Sequence, residues 1–449
     1  MPFVDTWDRC TRASRRSVVA GAFCAPAALL AACGQVGEQG TGSAPLAGAQ
    51  PATVQFYFSG DQPTTQLYTT LKEGFERAHP KYTLELVQGE NEIEKLLTLM
   101  AAGTPTDVFW NRVRTSQVII RRDAAVDLLP LMKRDKVSQD DFWPSAVRAY
   151  TYQGGYYGLP TSSSSNAVYF NKHHFRQVGL ALPDELEKAG KWDWDALLDT
   201  SRKLTRTDSG GKKIWGFNRP TGLVLTVQYM WQNGGKPFSD DRTQCLVNSP
   251  ECLGAVQFIT DLVLRHQVTA PVTDPAGANF RVNALVAMEQ AGRFLLPEAT
   301  GAMQSGAIDP GMVVAPKGPK AATTRGDDLA ATVLKGTKVV DAAWAFAQYW
   351  ASEEGQLVVL KSNRSYTSRR SIARNQTILK QVLNPWEDGE TYFTGLNRTD
   401  VFPITPKFIP QVADIFAREE RLAHAGEKTV KAAMDTVVQE VTPLLKEPF

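Results

Sequence analysis

From Thr53 onward the apolar positions change period in a regular way. Val54-Gln55-Phe56-Tyr57-Phe58 reads as a strand. Leu67, Leu71 and Phe75 recur every four residues, which predicts a helix that Pro80 stops. Thr83-Leu84-Glu85-Leu86-Val87 alternates again, and Ile93, Leu96, Leu97 and Met100 mark a second helix, with Gly103 past its end and Pro105 beyond. Asp107-Val108-Phe109-Trp110 is a third short strand. A β-α-β-α-β order calls for parallel strands joined by helical crossovers, hence an α/β fold. In such sheets ligands bind beyond the carboxyl ends of the strands, which puts Ser59-Gly60-Asp61 and Trp110-Asn111 at a candidate site.

Later segments follow the same logic. Ala167-Val168-Tyr169-Phe170 is a strand, and Asp193 is placed to cap a helix carrying Leu197, Leu198 and Leu204. Ser249-Pro250-Glu251 starts a helix with Cys252, Val256, Ile259 and Val263 on one face. Ala343, Phe346, Ala347 and Trp350 form another apolar stripe. The polar run Thr161-Ser162-Ser163-Ser164-Ser165 suits a crossover between lobes. No fixed-period repeat is present.

The N-terminus has a different character. Arg9, Arg12, Arg15 and Arg16 precede an uncharged stretch from Ser17 to Ala32, the layout of a secretory signal over residues 1–32. Ser14-Arg15-Arg16-Ser17-Val18-Val19 is similar to a twin-arginine export signal, with Val18 where Phe is usual, so the general secretion route stays open. Leu30-Ala31-Ala32-Cys33 resembles a lipobox, which makes Cys33 the lipidated first residue of the mature chain. Residues 33–52 then read as a glycine-rich tether with a reach of about 25 Å. The expected location is the outer face of the cell membrane or the periplasmic side, held by lipid.

The 449 residues include 49 Lys+Arg against 47 Asp+Glu, and 43% are hydrophobic, an ordinary globular composition for two or three domains. Removing residues 1–32 leaves basic and acidic side chains equal in number. That balance argues against a nucleic-acid partner.

Five blocks in register carry a resemblance. They are Lys95 to Trp110 (KLLTLMAAGTPTDVFW), Tyr169-Phe-Asn-Lys172 with Gly179-Leu180, and Trp192-Asp-Trp-Asp195-Ala-Leu. Trp231-Gln-Asn-Gly-Gly-Lys236 leading to Ser249-Pro-Glu251, and Trp344-Ala-Phe-Ala347 with Gly355, complete the set. Together, over about residues 53–430, they are similar to the family-1 extracellular solute-binding proteins of ABC importers, the carbohydrate-binding group.

The resemblance implies a two-lobed periplasmic-binding-protein-like fold of the class II type. Lobe 1 would take 53–163 plus 316–368, and lobe 2 would take 164–315 plus 369–449. Crossings are expected near Ser162–Ser165, Ala315–Gly318 and Tyr366–Arg370. It also implies a monomeric receptor that binds a sugar or oligosaccharide in the cleft and hands it to ABC permease subunits served by a separate ATPase. No cofactor and no metal are called for.

Sugars need aromatic plates for the ring face and polar side chains for the hydroxyls. Trp110, Asn111, Tyr169, Trp231 and Trp386 are the expected ligand-binding residues, with Asn166, Asp61 and Arg293 as hydrogen-bonding partners. Trp143, Trp215, Trp344 and Trp350 are assigned to core packing. Family members often carry Gly-x-Trp or Gly-Trp after a Val-Ala-Met strand. Here Val286-Ala287-Met288 is followed by Gly292-Arg293-Phe294, so Phe294 would stack and Arg293 would add a cation suited to an acidic or phosphate-bearing sugar.

No phosphate loop, H-E-x-x-H, C-x-x-C, G-x-S-x-G or G-x-G-x-x-G occurs in the chain. His173-His174 reads as a solvated pair, and Asp193 and Asp195 as a cap and first-turn charge rather than glycosidase carboxylates. Cys245 and Cys252 would share an oxidising compartment, which leaves a disulfide and two separate buried thiols both open. A secreted carbohydrate-active enzyme and a sugar sensor without transport are the competing readings.

Overall fold

The computed structural model describes residues 50–446 except 90–91, 104–105, 114–115, 273–277 and 401–409. The signal segment, Cys33, most of the tether and Pro105 lie outside the described residues.

The chain begins with β1 (Ala52–Phe58), α1 (Gln62–Ala78), β2 (Tyr82–Gln88), α2 (Glu92–Ala101) and β3 (Val108–Arg112). Here β1 pairs in parallel with both β2 and β3, as the alternating periods require. Asp107 fastens the middle of this unit: its carboxylate accepts the Gln55 N–H at 2.8 Å, and its own N–H donates to the Gln55 carbonyl. Phe56 of β1 meets Phe346 and Trp350 edge-on or tilted, both ring pairs at 5.2 Å, so the Ala343–Trp350 stripe covers this face. Tyr57 turns to the opposite face and stacks with Phe109 at 5.8 Å.

After a short excursion the chain returns to this sheet as β4 (Leu159–Ser162) and leaves again to become β5 (Ala167–Asn171). Every residue of β5 is buried because it is the central strand of a second sheet. Its neighbours come later, after α3 (Leu223–Gln232) and α4 (Pro250–Leu264); they are β6 (Met288–Ala291) and β7 (Pro310–Val314), both antiparallel to it. Ser249 caps α4 by accepting the Cys252 N–H, with Pro250 in the first turn, and Asp193 caps its own helix through the Ala196 N–H.

Strand β8 (Thr324–Arg325) precedes β9 (Leu329–Val333), which enters the first sheet antiparallel between β3 and β4. The five-stranded order is β2-β1-β3-β9-β4, and the three-stranded order is β6-β5-β7. Helices α5 (Val340–Ala351) and α6 (Glu353–Lys361) follow on the first lobe. The short strand β10 (Thr399–Asp400) pairs with β8. Helices α7 (Pro410–His424) and α8 (Val430–Lys446) close a helical cluster with α3 and α4 around Val227, Met230, Val256, Ile259, Phe416 and Val437.

Three extended segments join the lobes and lie side by side. Ser163 and Tyr366 exchange both backbone hydrogen bonds, at 3.0 and 2.9 Å. On the other edge, the Asp327 N–H donates to the Ser164 carbonyl at 2.8 Å and the Asn166 N–H to the Arg325 carbonyl at 3.1 Å. The serine run is therefore the middle strand of the hinge. The second passage falls at Gly326–Asp328, not at Ala315–Gly318. Residues 315–323 stay with the second lobe because the Gln232 amide donates to the Pro316 and Thr323 carbonyls, and Lys317 pairs with Asp193.

Candidate functional site

A cavity of about 340 Å³ opens where the hinge meets both lobes. Its volume lies in the range of small-molecule sites. The first lobe supplies the exit of β1, the first turns of α1 and the carboxyl end of β3: Gly60, Thr64, Leu67, Tyr68, Trp110 and Arg112. Trp350 and Val359 add to this wall from α5 and α6. Opposite them stand Val224 and Leu225 at the start of α3, and Phe294. The hinge itself contributes Ser162, Ser164, Arg325, Asp327 and Leu329, with Arg364 and Ser365 just before Tyr366.

Local backbone geometry explains several of these placements. Extended segments present every second residue to one side, so Ser162 and Ser164 share the cavity, as do Arg325, Asp327 and Leu329. Gly60 has φ +151°, and a Cβ there would stand 2.7 Å from the Thr64 side chain, so the β1 exit needs glycine. A Cβ on Gly292 would lie 2.7 Å from both the Phe294 ring and the Ser164 hydroxyl. Glycine at 292 lets Phe294 fold against the hinge. Glu420 of α7 receives the Gly222 N–H and, at 2.6 Å, the Thr226 hydroxyl, which fixes the start of α3 beside the cavity. Burial pushes the Glu420 carboxyl up to about 7.

The electrostatics are dominated by arginine. The Arg112 guanidinium lies over the Trp110 ring, 4.3 Å from its centroid. Arg325 approaches Asp327 at 3.6 Å, and Arg364 holds Asp61 at the rim at 2.9 Å. Asp328 is buried in the hinge, where burial pushes its carboxyl up to about 7. The indole N–H groups of Trp110 and Trp350 are buried without a hydrogen-bond partner, and so is the Ser162 hydroxyl. An unmet buried donor costs about 1–3 kcal/mol, and all three side chains line the cavity.

The expected ligand residues separate into two sets. Trp110 and Phe294 line the cavity, although Trp110 offers an edge rather than a stacking plate because Arg112 covers one ring face and Tyr68 meets the ring edge-on at 6.3 Å. Asp61 does not line it. Its side chain caps α1 through the Thr64 N–H and hydroxyl and pairs with Arg364. Against the upward push of burial, the Thr64 hydrogen bonds and the Arg364 charge hold that carboxyl below its usual range.

Asn111 faces away from the cavity: strand alternation sets it opposite Trp110, and its amide donates to the Thr332 hydroxyl at 3.0 Å inside the core. Asn166 is buried against Gln228, and Tyr169 is buried with its hydroxyl 3.2 Å from that of Tyr392. Trp386 packs edge-on to Tyr169 in that same core. Trp231 is half-buried against the α3/α4/α7/α8 cluster.

Arg293 is the largest correction. It is fully buried, and all its N–H groups are taken: the Glu387 carboxylate at 2.7 and 3.0 Å, the Leu360 and Ser365 carbonyls, and the Asn363 amide oxygen. Although burial opposes charge, Glu387 raises the Arg293 pKa, and Arg293 in turn holds the Glu387 carboxyl below its usual range. Arg293 is thus a rivet between the second lobe and the 360–365 segment, and supplies no cation to the cavity.

Cys245 and Cys252 are separate buried thiols in the helical cluster, with no disulfide between them. His174 is buried with its Nε2 2.8 Å from the Ala284 carbonyl, so the histidine pair is only half solvated.

Sequence reasoning missed Arg112, Arg325, Asp327, Arg364 and the cavity role of Trp350. Arg112 carried a signal, since it lies two residues after Trp110 on the same strand face. Arg364 carried none, because its place follows from a loop held by Arg293.

Comparisons with known proteins follow this geometry. The model of the bacterial extracellular solute-binding protein family matches residues 60–357. The chain is 24% identical over 238 residues to a mannitol-binding protein of Pseudomonas aeruginosa, covering 49% of each. It is 26% identical over 141 residues to an arabinooligosaccharide-binding protein of Halalkalibacterium halodurans, covering 31% of this chain and 29% of that one. The chain spans about half the length of the curated relatives it matches, or less. Among solved structures, an ABC substrate-binding protein from Listeria monocytogenes in complex with cycloalternan superposes with a TM-score of 0.76 at 21% identity. That match covers 89% of this chain and all of the other, and establishes a common two-lobed fold.

Proposed function

The chain belongs to the bacterial extracellular solute-binding protein family, and from that membership we propose that it is an extracytoplasmic receptor for a sugar or oligosaccharide. It takes the solute into the interlobe cavity and delivers it unaltered to the permease of an ABC transporter whose ATPase is a separate subunit. Cys33 carries the lipid that holds it at the membrane.

The observation that carries the reading is the cavity itself, walled by both lobes and floored by the hinge. A solute seated there touches both walls only when the lobes are shut, so it stabilises the shut form by its differential affinity for that form. Hydroxyl-bearing and guanidinium side chains beside Tyr68, Trp110 and Phe294 give the mixed polar and apolar lining that a sugar requires. Relatives whose names record mannitol and arabinooligosaccharide binding support the same solute class.

Small-angle scattering and titration calorimetry of residues 50–449 against a panel of mono-, di- and trisaccharides, neutral and acidic, test the reading. Binding heat with at least one saccharide, together with a smaller radius of gyration, is the expected result. No heat and an unchanged radius across the panel would refute it. For the anchor, Cys33→Ser should move the protein from the membrane fraction to the soluble one.

A further inference from the structure

We infer that Glu420 is a positioning residue for the solute: it does not line the cavity, but its carboxylate sets the place of Val224 and Leu225 in the cavity wall. The inference rests on the receptor reading above and adds a control on the affinity of that same site.

The first turn of α3 carries it. Val224 and Leu225 line the cavity, and the chain is held on either side of them, at Gly222 and at Thr226. One Glu420 oxygen accepts the Gly222 N–H at 2.5 Å, and the other accepts the Thr226 hydroxyl at 2.6 Å. The helix has no cap of its own, because its N-cap position is Gly222, with φ +77° and no side chain to offer. Its acceptor comes instead from α7, 198 positions along the chain. Val412, Phe416 and Ala423 pack α7 into the same cluster as Val227 and Met230 of α3, so Glu420 reaches the turn from a fixed base.

The ionised carboxylate is the form that fits both bonds. Its two oxygens accept, and its charge faces the positive end of α3. A protonated Glu420 keeps one acceptor oxygen and turns the other into a donor, so the Thr226 hydroxyl must reverse or part from it. Burial pushes this carboxyl up to about 7, against the Thr226 and Gly222 bonds and the Arg219 charge, so both forms are reached between pH 6 and pH 8. Among the described residues Arg219, just before α3, is the one charge that acts on Glu420; α3 has no charged side chain, and none on α4 or α8 acts on it. On α7 itself, Glu419 is paired with Arg418 and Lys428. His424, one turn further along, is pushed down to about 3 by burial and by Arg219, so it stays neutral throughout this range. The solute meets the well-held turn when Glu420 is ionised, and its affinity should fall as pH drops through 7.

Calorimetry on the purified full-length chain at pH 8 and pH 6 tests this, with mannitol, glucose, maltose, maltotriose and galacturonate as probes. For a probe that binds the parent, Glu420→Gln should weaken binding about five-fold at pH 8, and the two proteins should converge to within two-fold at pH 6. Asp328 also titrates near 7, but it is present in both proteins and drops out of the comparison. The thermal midpoint of Glu420→Gln at pH 8 should hold or rise, since burial disfavours the charge that the substitution removes. Thr226→Val should repeat the loss of affinity, and Thr226→Ser should restore it. Without any sugar, amide exchange over residues 222–228 should quicken in Glu420→Gln while exchange in α8 stays as in the parent. Parent-like affinity at pH 8, a gap that persists unchanged at pH 6, a lowered midpoint or unaltered exchange at 222–228 would each overturn the inference and leave the receptor reading standing. If no probe binds the parent, both fall together.

Discussion

Replacing Arg293 by Met removes a cation that the fold has wholly enclosed. Its side chain and that of Glu387 are both 0% exposed, so no water is available to take over the bonds. Breaking a buried ion pair by deleting one partner costs about 3–5 kcal/mol, chiefly through the charge left behind. Here the residual Glu387 keeps the Tyr392 hydroxyl at 2.6 Å and the Asn384 backbone N–H and side-chain amide at 2.9 and 2.7 Å. Those bonds place the expected loss at the lower end, about 3 kcal/mol. With unfolding entropies of roughly 2 cal/mol/K per residue, a cooperative body of this size should lose about 4 °C in its thermal midpoint.

The pH dependence distinguishes a lost charge pair from lost packing. In the parent, the Glu387 carboxyl is held below its ordinary value, so its contribution is present above that value and fades as pH falls through the folded pKa. Without Arg293, only the Tyr392 and Asn384 hydrogen bonds oppose burial, and the folded pKa rises. The cost then applies at high pH and is relieved on acidification, so the deficit of Arg293→Met should shrink between pH 8 and pH 5. Urea titrations at both pH values, with Arg293→Met/Glu387→Met as the third variant, measure this. The double variant should recover at least half of the loss. A deficit below about 1 kcal/mol, or one that grows toward pH 5, would refute the account of Arg293 as a charge rivet.

Asp328→Asn should stabilise the protein by up to about 4 kcal/mol at pH 8, because the folded carboxyl titrates near 7 against 3.8 and burial penalises its charged form. Asp327 adds to that penalty and Arg325 and Arg148 oppose it, so the gain should fade as pH falls toward 4; a gain equal at pH 8 and pH 5 would contradict this in denaturant titrations. Trp231→Ala should lower the thermal midpoint and leave solute affinity within two-fold, since its ring packs on the helical cluster; a selective loss of affinity would return Trp231 to the site. Burial pushes the Cys245 and Cys252 thiols up to about 12 and 11, so in native protein at pH 8 neither should react with a thiol reagent within an hour, whereas both should react in urea.

The fold was legible wherever one element settles its own period. Strands β1 to β3 and the helices between them follow from alternation and four-residue spacing, and Ser249-Pro250 and Asp193 announce their caps from local chemistry alone. The site was legible only where a strand end dictates it. Trp110 and Phe294 do line the cavity, but naming Asn111 beside Trp110 ignored the pleat, which sends adjacent residues to opposite faces. Arg293 shows the other limit. A sequence records that a cation is present but not that Glu387, 94 positions away, will close around it. The cavity arginines at 325 and 364 lie on segments whose positions depend on pairing with Ser163–Asn166, a contact between distant parts of the chain that no local pattern encodes.

The hinge strands have a consequence for how occupancy becomes motion. Ser162, Ser164, Arg325 and Asp327 belong both to the segments that join the lobes and to the wall of the cavity. A molecule resting there leans on the axle itself, so its grip need not be relayed through intervening packing to swing the jaws.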